Sequence, residues 1–387
     1  MMGSLFKLIS QTARDLVYLL IPRHGYKNMY AFAFLVHPRD ERDMHRRFPF
    51  LAKTPAWLKR LIQHYFWPIT VSHITGLRSV ESEEEIPGFV ITIPMTANEM
   101  LKNRERAKKQ IIRATTLARN KGSKIVGLGA LTSSLSRGGL DLLGINGIAV
   151  TTGHAYTGYT VTQTLLKQLD NAQINYKEKN HTIAIVGAAG SVGSISAEIL
   201  VHSGVESLLL IDIDRKMESV NNLKTQLLSL DQNLKIECST NMGALKNALG
   251  VITATNAPDT LVKDKHISAG TIIVDDAQPS DISPELYDRE DVLVLEAGAV
   301  HTPNISTNFN MGLANRNDNF CCLAEVLILA SKKHVHNFVI NRATLSDVEH
   351  IRKGGDELGF TLAKAQNEHG VIPKEKIQRV ASLAQKR

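Results

Sequence analysis

Short apolar runs and longer amphipathic segments alternate along the chain. Residues 30–36 (Tyr-Ala-Phe-Ala-Phe-Leu-Val) read as a buried strand, and Gly88–Pro94, apolar but for Thr92, reads as a second strand. His37-Pro38-Arg39-Asp40 turns between the first of them and a short basic helix. From Asn98 to Asn120 the period becomes helical, with Leu101, Ile111, Ala114 and Ala118 near one face, Asn98 as cap and Gly122 as stop. Lys124–Gly129 is a further strand that ends in the small polar turn Ala130–Ser134. Residues 155–170 read as a helix, and the polar linker Asn175–Asn180 follows.

Beyond the linker the pattern repeats. A strand at His181–Val186 runs into Gly187-Ala-Ala-Gly190-Ser-Val-Gly193 and a helix. Strands follow at Ser207–Asp212, Gly250–Ala254, Thr271–Val274 and Val292–Glu296. Strands alternating with helices predict a parallel sheet wound on both faces. After about residue 305 the chain turns mostly helical. The expected fold is α/β: a Rossmann-type doubly wound parallel sheet with an N-terminal α/β substrate domain and a helical C-terminal region. The expected divisions are residues 1–25, an amphipathic extension; 26–178, the substrate-binding domain; 179–304, the dinucleotide-binding domain; and 305–387, the helical region.

Composition narrows the partners. At 43% hydrophobic and 21% charged residues, the 387-residue chain has ample material for a core. Its net charge of +7 favours an acidic partner, a phosphorylated ligand or an anionic membrane surface. The basic residues are dispersed and no helix-turn-helix pattern occurs, so no nucleic-acid partner is expected. Lys7, Arg14 and Asp15 interrupt the apolar run Leu5–Pro22, which is too short and too charged to span a bilayer. With no basic leader and no small-residue cleavage site it is not expected to be a signal peptide. It reads as an amphipathic helix lying on protein or, alternatively, peripherally on lipid at the inner membrane. Three cysteines exclude a disulfide framework and fit the cytoplasm. No zinc spacing occurs, and no metal ligands are expected. A homo-oligomer is left open.

Gly187, Ala188, Gly190, Ser191, Val192 and Gly193 carry the clearest chemistry. Small residues between a strand and a helix let backbone N–H groups and the helix N-terminus approach a pyrophosphate. The stretch departs from strict G-x-G-x-x-G, since the first position of that register is Ala188. Asp212, nineteen residues beyond Gly193 by number, stands where a carboxylate accepts from ribose hydroxyls and repels a 2′-phosphate. Arg215 and Lys216 follow and could hold that phosphate. The cofactor is therefore NADH or NADPH, with the phosphorylation state open. Asn256 is placed for its nicotinamide side. Asp275-Asp276 ends a strand, either as a turn former or as a Mg2+ site with the cofactor phosphates.

Two of the cysteines, Cys321 and Cys322, are adjacent in what reads as the first turn of a helix capped by Asp318. A helix N-terminus favours a thiolate, while Asp318 opposes it. Either one thiol is a nucleophile or both are small apolar fillers. His154 and, more weakly, Tyr156 are proton-donor candidates or structural groups. Thr132, Ser133 and Ser134 either bind a carbonyl of the substrate or cap a helix. His301 follows a strand end where α/β proteins place ligands. Lys102, Arg106, Lys109 and Arg113 form one basic stripe on the 98–120 helix, a dock for an acidic partner or a solvated face.

Six stretches in order, Gly127–Ser134, Thr151–Thr157, Gly187–Gly193, Glu296–Val300, Cys322–Glu325 and Glu368–Pro373, resemble the long-chain acyl-[acyl-carrier-protein] reductases of cyanobacteria and related bacterial homologues. The resemblance implies a fatty-aldehyde-forming oxidoreductase of lipid metabolism. Cys322 would take the acyl group from acyl carrier protein or acyl-CoA as a thioester, and hydride from NAD(P)H would release the aldehyde. It also implies that Cys321 fills space. The chain departs from that family at His154, where the family has asparagine, at Tyr156, where it has histidine, and at Asp212, where NADPH users carry a small residue. Two other readings stand beside it. One is an NAD(P)-dependent amino-acid or shikimate-type dehydrogenase without a covalent intermediate. The other is a non-catalytic dinucleotide sensor.

Overall fold

The structure, a computed structural model, describes residues 2–21, 30–55, 57–58, 66–277, 279–308, 312–313 and 315–387. The expected junction at residues 25 and 26 lies outside the described residues. The chain forms two compact units: residues 1–153, 302–341 and 353–360, and residues 154–301, 342–352 and 361–387. The C-terminal residues are thus shared between the units.

In the first unit, β1 (Ala31–Val36), β2 (Ile69–Thr75), β3 (Gly88–Thr92), β4 (Ser123–Leu128) and β5 (Ala149–Thr151) form a sheet in the order β2-β3-β1-β4-β5. β1 lies parallel to β3 and β4, and β4 to β5. β2 runs antiparallel to β3, and Ser306–Thr307 runs antiparallel to β2 on the outer edge. Side chains of β4 alternate between two cores. Val126 and Leu128 share a core with Ala107, Ile111, Ala114, Leu117 and Ala118. Gly127 faces the helix Cys321–Ser331, where an added Cβ would stand 2.9 Å from Val326.

The helix expected from Asn98 to Asn120 is two helices, Ala97–Lys102 and Arg104–Asn120. Thr96 caps the first with a reciprocal Glu99 bond. Asn103 leaves the helical region and accepts the N–H of Arg106 at 3.2 Å, so its side chain competes with the helix and restarts it. Lys102 is therefore on a different helix from Arg106, Lys109 and Arg113, and the single basic stripe is broken.

The N-terminal helix Met2–Leu20 is held by a buried ion pair. Asp15 is fully buried; it accepts Lys121 Nζ and the Thr70 hydroxyl on Oδ1, both at 3.1 Å, and the Thr70 N–H on Oδ2 at 2.7 Å. Lys121 Nζ also lies 4.8 Å from the Phe89 ring centroid. Of the two expectations for this segment, contact with protein accounts for Asp15. No helix of the described residues is long and apolar enough to cross a membrane.

The second unit contains β6 (Thr182–Val186), β7 (Ser207–Ile211), β8 (Lys235–Ser239), β9 (Ala248–Thr253), β10 (Ile272–Asp275) and β11 (Leu293–Glu296). Their order is β11-β10-β9-β6-β7-β8, and every pair is parallel. Ile183 and Ile185 enter one core with Leu165 and Leu200, while Ala184 and Val186 enter another with Val251 and Ile273. Both faces are buried, as the Rossmann-type doubly wound expectation requires. Close contacts seat the covering helices. A Cβ on Gly158 would meet Ile195 at 2.4 Å, and one on Gly270 would meet the backbone of Ala384 at 2.7 Å.

Removing one partner of the Asp15–Lys121 pair strands a buried charge. Asp15→Ala is expected to destabilise the protein by about 3–5 kcal/mol, and Asp15→Leu combined with Lys121→Met to regain most of that loss. Urea unfolding of the three proteins measures it.

Candidate functional site

β6 is the point at which strand order reverses, with β7 beside it on one side and β9 on the other. In such sheets the crevice beyond the C-terminal strand ends receives ligands. The Gly187–Gly193 loop crosses that crevice. Gly187 has φ +85°, and a Cβ there would stand 2.6 Å from the Ala254 carbonyl oxygen at the end of β9. Gly193 packs so closely on the turn that a Cβ would stand 2.3 Å from the Gly187 carbonyl oxygen. Gly190 is the N-cap of the helix Ser191–His202, whose opening residues Ser191 and Val192 are half-buried. The Ser194 N–H is donated to the Gly190 carbonyl at 2.9 Å, so the amides of Ser191, Val192 and Gly193 open the helix without an acceptor inside it. This arrangement fits a dinucleotide pyrophosphate.

Asp212 follows β7 directly and is buried. Oδ2 accepts the Ala189 N–H and Oδ1 the Ile213 N–H, both at 2.9 Å. Its carboxylate thus holds the glycine loop at the end of β7. Lys216 Nζ lies 3.8 Å from Oδ1, while Arg215 and Asn256 are exposed.

A buried acid network lies under the β9 and β10 ends. Asp275 accepts the Thr253 hydroxyl at 2.6 Å and the Ala277 N–H at 3.1 Å on Oδ1, and the Ser280 hydroxyl at 2.6 Å on Oδ2. Asp281, fully buried, accepts the Thr255 hydroxyl at 2.6 Å on Oδ1, and its carbonyl accepts the N–H groups of Leu261 and Val262. Burial pushes Asp275 up, and burial together with Asp275 pushes Asp276 well up. Burial raises Asp281 to about 7 against the pull of the Thr255 hydrogen bond. Asp275 is therefore committed to support of the strand ends. Among the described residues no group of three or more His, Cys, Asp or Glu is arranged to hold a metal ion.

The expected site residues divide between the units. In the first unit, Cys321 is buried and Cys322 half-buried at the start of their helix. Asp318 does not cap it. The N-cap is Phe320, with no side-chain cap bond, and Asp318 sits in the preceding strand, accepting from Asn315 at 2.8 Å. Cys322 packs on Gly153 (φ +80°), where an added Cβ would stand 2.4 Å from the Cys322 Cβ. Glu325, fully buried one turn later, accepts the Gly153 N–H at 3.0 Å and the Thr151 hydroxyl. The Cys322–Glu325 quartet thus braces the end of β5. Thr132 is buried and donates to the Gly129 carbonyl at 2.7 Å; Ser133 is buried; Ser134 is exposed.

In the second unit, His154 opens the helix His154–Asn171, which buries Tyr156 with its ring centroid 5.9 Å from that of Tyr159. His301 is half-buried in the strand Ala299–His301, paired with Thr361–Leu362. The glycine loop also has a neighbour that periodicity does not reveal. Arg342 donates to the Ala189 carbonyl at 3.0 Å and to the Ser194 hydroxyl at 3.4 Å.

Comparison with known proteins bears on the second unit most directly. Residues 169–300 match the protein-family model described as Shikimate / quinate 5-dehydrogenase, about a third of the chain. The chain is 23% identical over 283 residues to "Aminotransferase PigE" of Serratia sp. (strain ATCC 39006), covering 71% of this chain and 32% of that protein. It therefore spans about a third of the length of this curated relative. Among solved structures, quinate dehydrogenase from Corynebacterium glutamicum in complex with NAD matches with a TM-score of 0.33 at 15% identity, over 64% of this chain and 80% of that one. The NAD-dependent malic enzyme of Thermotoga maritima matches with a TM-score of 0.39 at 14% identity, over 98% and 89%.

The dehydrogenase match overturns the expectation of an acyl-[acyl-carrier-protein] reductase. With it go the Cys322 thioester and the fatty-aldehyde product. The quartet that suggested them is accounted for by its packing on Gly153 and β5.

Asp281 sets a pH dependence. An unfolded Asp ionises near 3.9, whereas the folded protein keeps this proton to about pH 7. The native state thus binds the extra proton between these values, and stability from this group is full below about pH 4 and lost as pH rises through about 7. The fall of melting temperature between pH 5 and 8 is expected to flatten in Asp281→Asn. An unchanged profile would remove Asp281 as its source.

Proposed function

We propose that the chain is an NAD(P)-dependent dehydrogenase of the shikimate or amino-acid type, working without a covalent cysteine intermediate. The observation that carries this reading is the Gly187–Gly193 loop at the reversal of strand order, inside the stretch that matches Shikimate / quinate 5-dehydrogenase. A nicotinamide dinucleotide bound there supplies or accepts the hydride. The open amides of Ser191, Val192 and Gly193 receive its pyrophosphate. Asp212 faces the adenosine ribose, and its negative charge disfavours a 2′-phosphate, which selects NAD(H). The network of Asp275 and Asp281 fixes the Thr253–Val262 backbone, which carries Asn256 on the nicotinamide side. Net charge of +7 suits an anionic small substrate, such as a hydroxy acid or an amino acid.

Purified protein is expected to reduce NAD with a shikimate, quinate or small amino-acid substrate, followed by absorbance of the reduced cofactor. Cys322→Ser should retain kcat/KM within about threefold, and NADH should bind about tenfold tighter than NADPH through like-charge repulsion at Asp212. Acyl-CoA-dependent oxidation of NAD(P)H that disappears in Cys322→Ser would refute the proposal.

A further inference from the structure

Arg342 stands outside every strand–helix repeat of the second unit, yet its guanidinium sits on the glycine loop. Nη2 donates to the carbonyl of Ala189, the residue before the helix N-cap, at 3.0 Å. Nη1 donates to the hydroxyl of Ser194, in the first turn of the helix, at 3.4 Å. The side chain therefore straddles Gly190–Gly193, whose opening amides face the crevice. Both acceptors are neutral, and the Arg342 side chain remains solvent-exposed. Glu198 is the carboxylate that feels its charge, but Glu198 bonds Gln226 at 3.0 Å and burial pushes its carboxyl up. An arginine has five N–H donors in a rigid fork. Two are anchored on the loop, so the fork is preset, and among the described residues no carboxylate forms an ion pair with it.

A preset guanidinium beside a helix N-terminus is a device for holding a phosphoryl oxyanion. We infer that Arg342 is a binding residue for the cofactor's diphosphate, clamping it against the amides of Ser191–Gly193. The inference rests on the dinucleotide reading above and adds a contact supplied from residues 342–352, a segment remote in sequence from the strand–helix unit that forms the loop. The diphosphate is favoured over a ribose 2′-phosphate because Arg342 is anchored across the helix start. The ribose position is held by Asp212.

The test compares wild type with Arg342→Gln and Arg342→Lys in the full chain, by fluorescence titration with NADH, NADPH and ADP-ribose and by displacement with adenosine. Arg342→Gln should weaken all three diphosphate ligands by about 10- to 100-fold, the loss expected for one charge-assisted contact, and leave adenosine within about twofold. Arg342→Lys should recover part of that loss, and the salt dependence of NADH binding should be shallower in Arg342→Gln than in wild type. Equal weakening of adenosine would make Arg342 a prop of the loop. Loss confined to NADPH would move its contact to the 2′-phosphate, and no loss would remove it from the site; each outcome overturns the inference. Wild type that binds none of these ligands would refute the dinucleotide reading, and this inference with it.

Discussion

The second unit depends on one close approach. Helix Ser191–His202 meets the turn after β6 at Gly193, at a distance that leaves no room for a methyl group. That contact draws the helix start down onto the strand end. It turns the opening amides toward the crevice at the reversal of strand order, where an anion is stabilised by several fixed N–H dipoles. A larger residue at 193 would push the helix away and lose the alignment even if every strand stayed paired.

Around that contact the protein fixes its loops with buried polar groups. Asp212 ties the glycine loop to the β7 end. Asp275 and Asp281 tie the segments after β9 and β10 through the hydroxyls of Thr253, Ser280 and Thr255. In the first unit Glu325 does the same for Gly153 and Thr151. Burying an acid is costly unless it is hydrogen-bonded or keeps its proton. Asp281 combines both: Oδ1 receives the Thr255 hydroxyl, and burial holds the proton to about pH 7. The loops near the crevice are thereby positioned by side chains that need take no part in chemistry.

Periodicity made the parallel sheet legible because both faces of β6, β7, β9, β10 and β11 are buried, so each strand is a plain apolar run. β8, Lys235–Ser239, escaped because it lies at the edge with half its side chains outside the core. β2, Ile69–Thr75, alternates with threonine and serine and carries no continuous run. The break at Asn103 was hidden because the apolar positions keep helical spacing across it. The motif resemblance misled at Cys322–Glu325. A cysteine followed by leucine, alanine and glutamate has the same letters whether it reacts or packs, and here a small thiol meets Gly153 while the glutamate binds a backbone amide.

The sequence by itself determined the Rossmann-type sheet, the glycine loop and the acid after β7, because each rests on local spacing: apolar runs, a turn that demands small residues, and a carboxylate one strand later. Tertiary structure alone decided which polar groups act together. Arg342 reaches Ala189, Glu325 reaches Gly153 and Lys121 reaches Asp15 across long separations in the chain. No periodicity encodes such contacts. They arise only when packing brings remote segments within hydrogen-bond distance, and a buried charge or amide then requires the partner that packing has supplied.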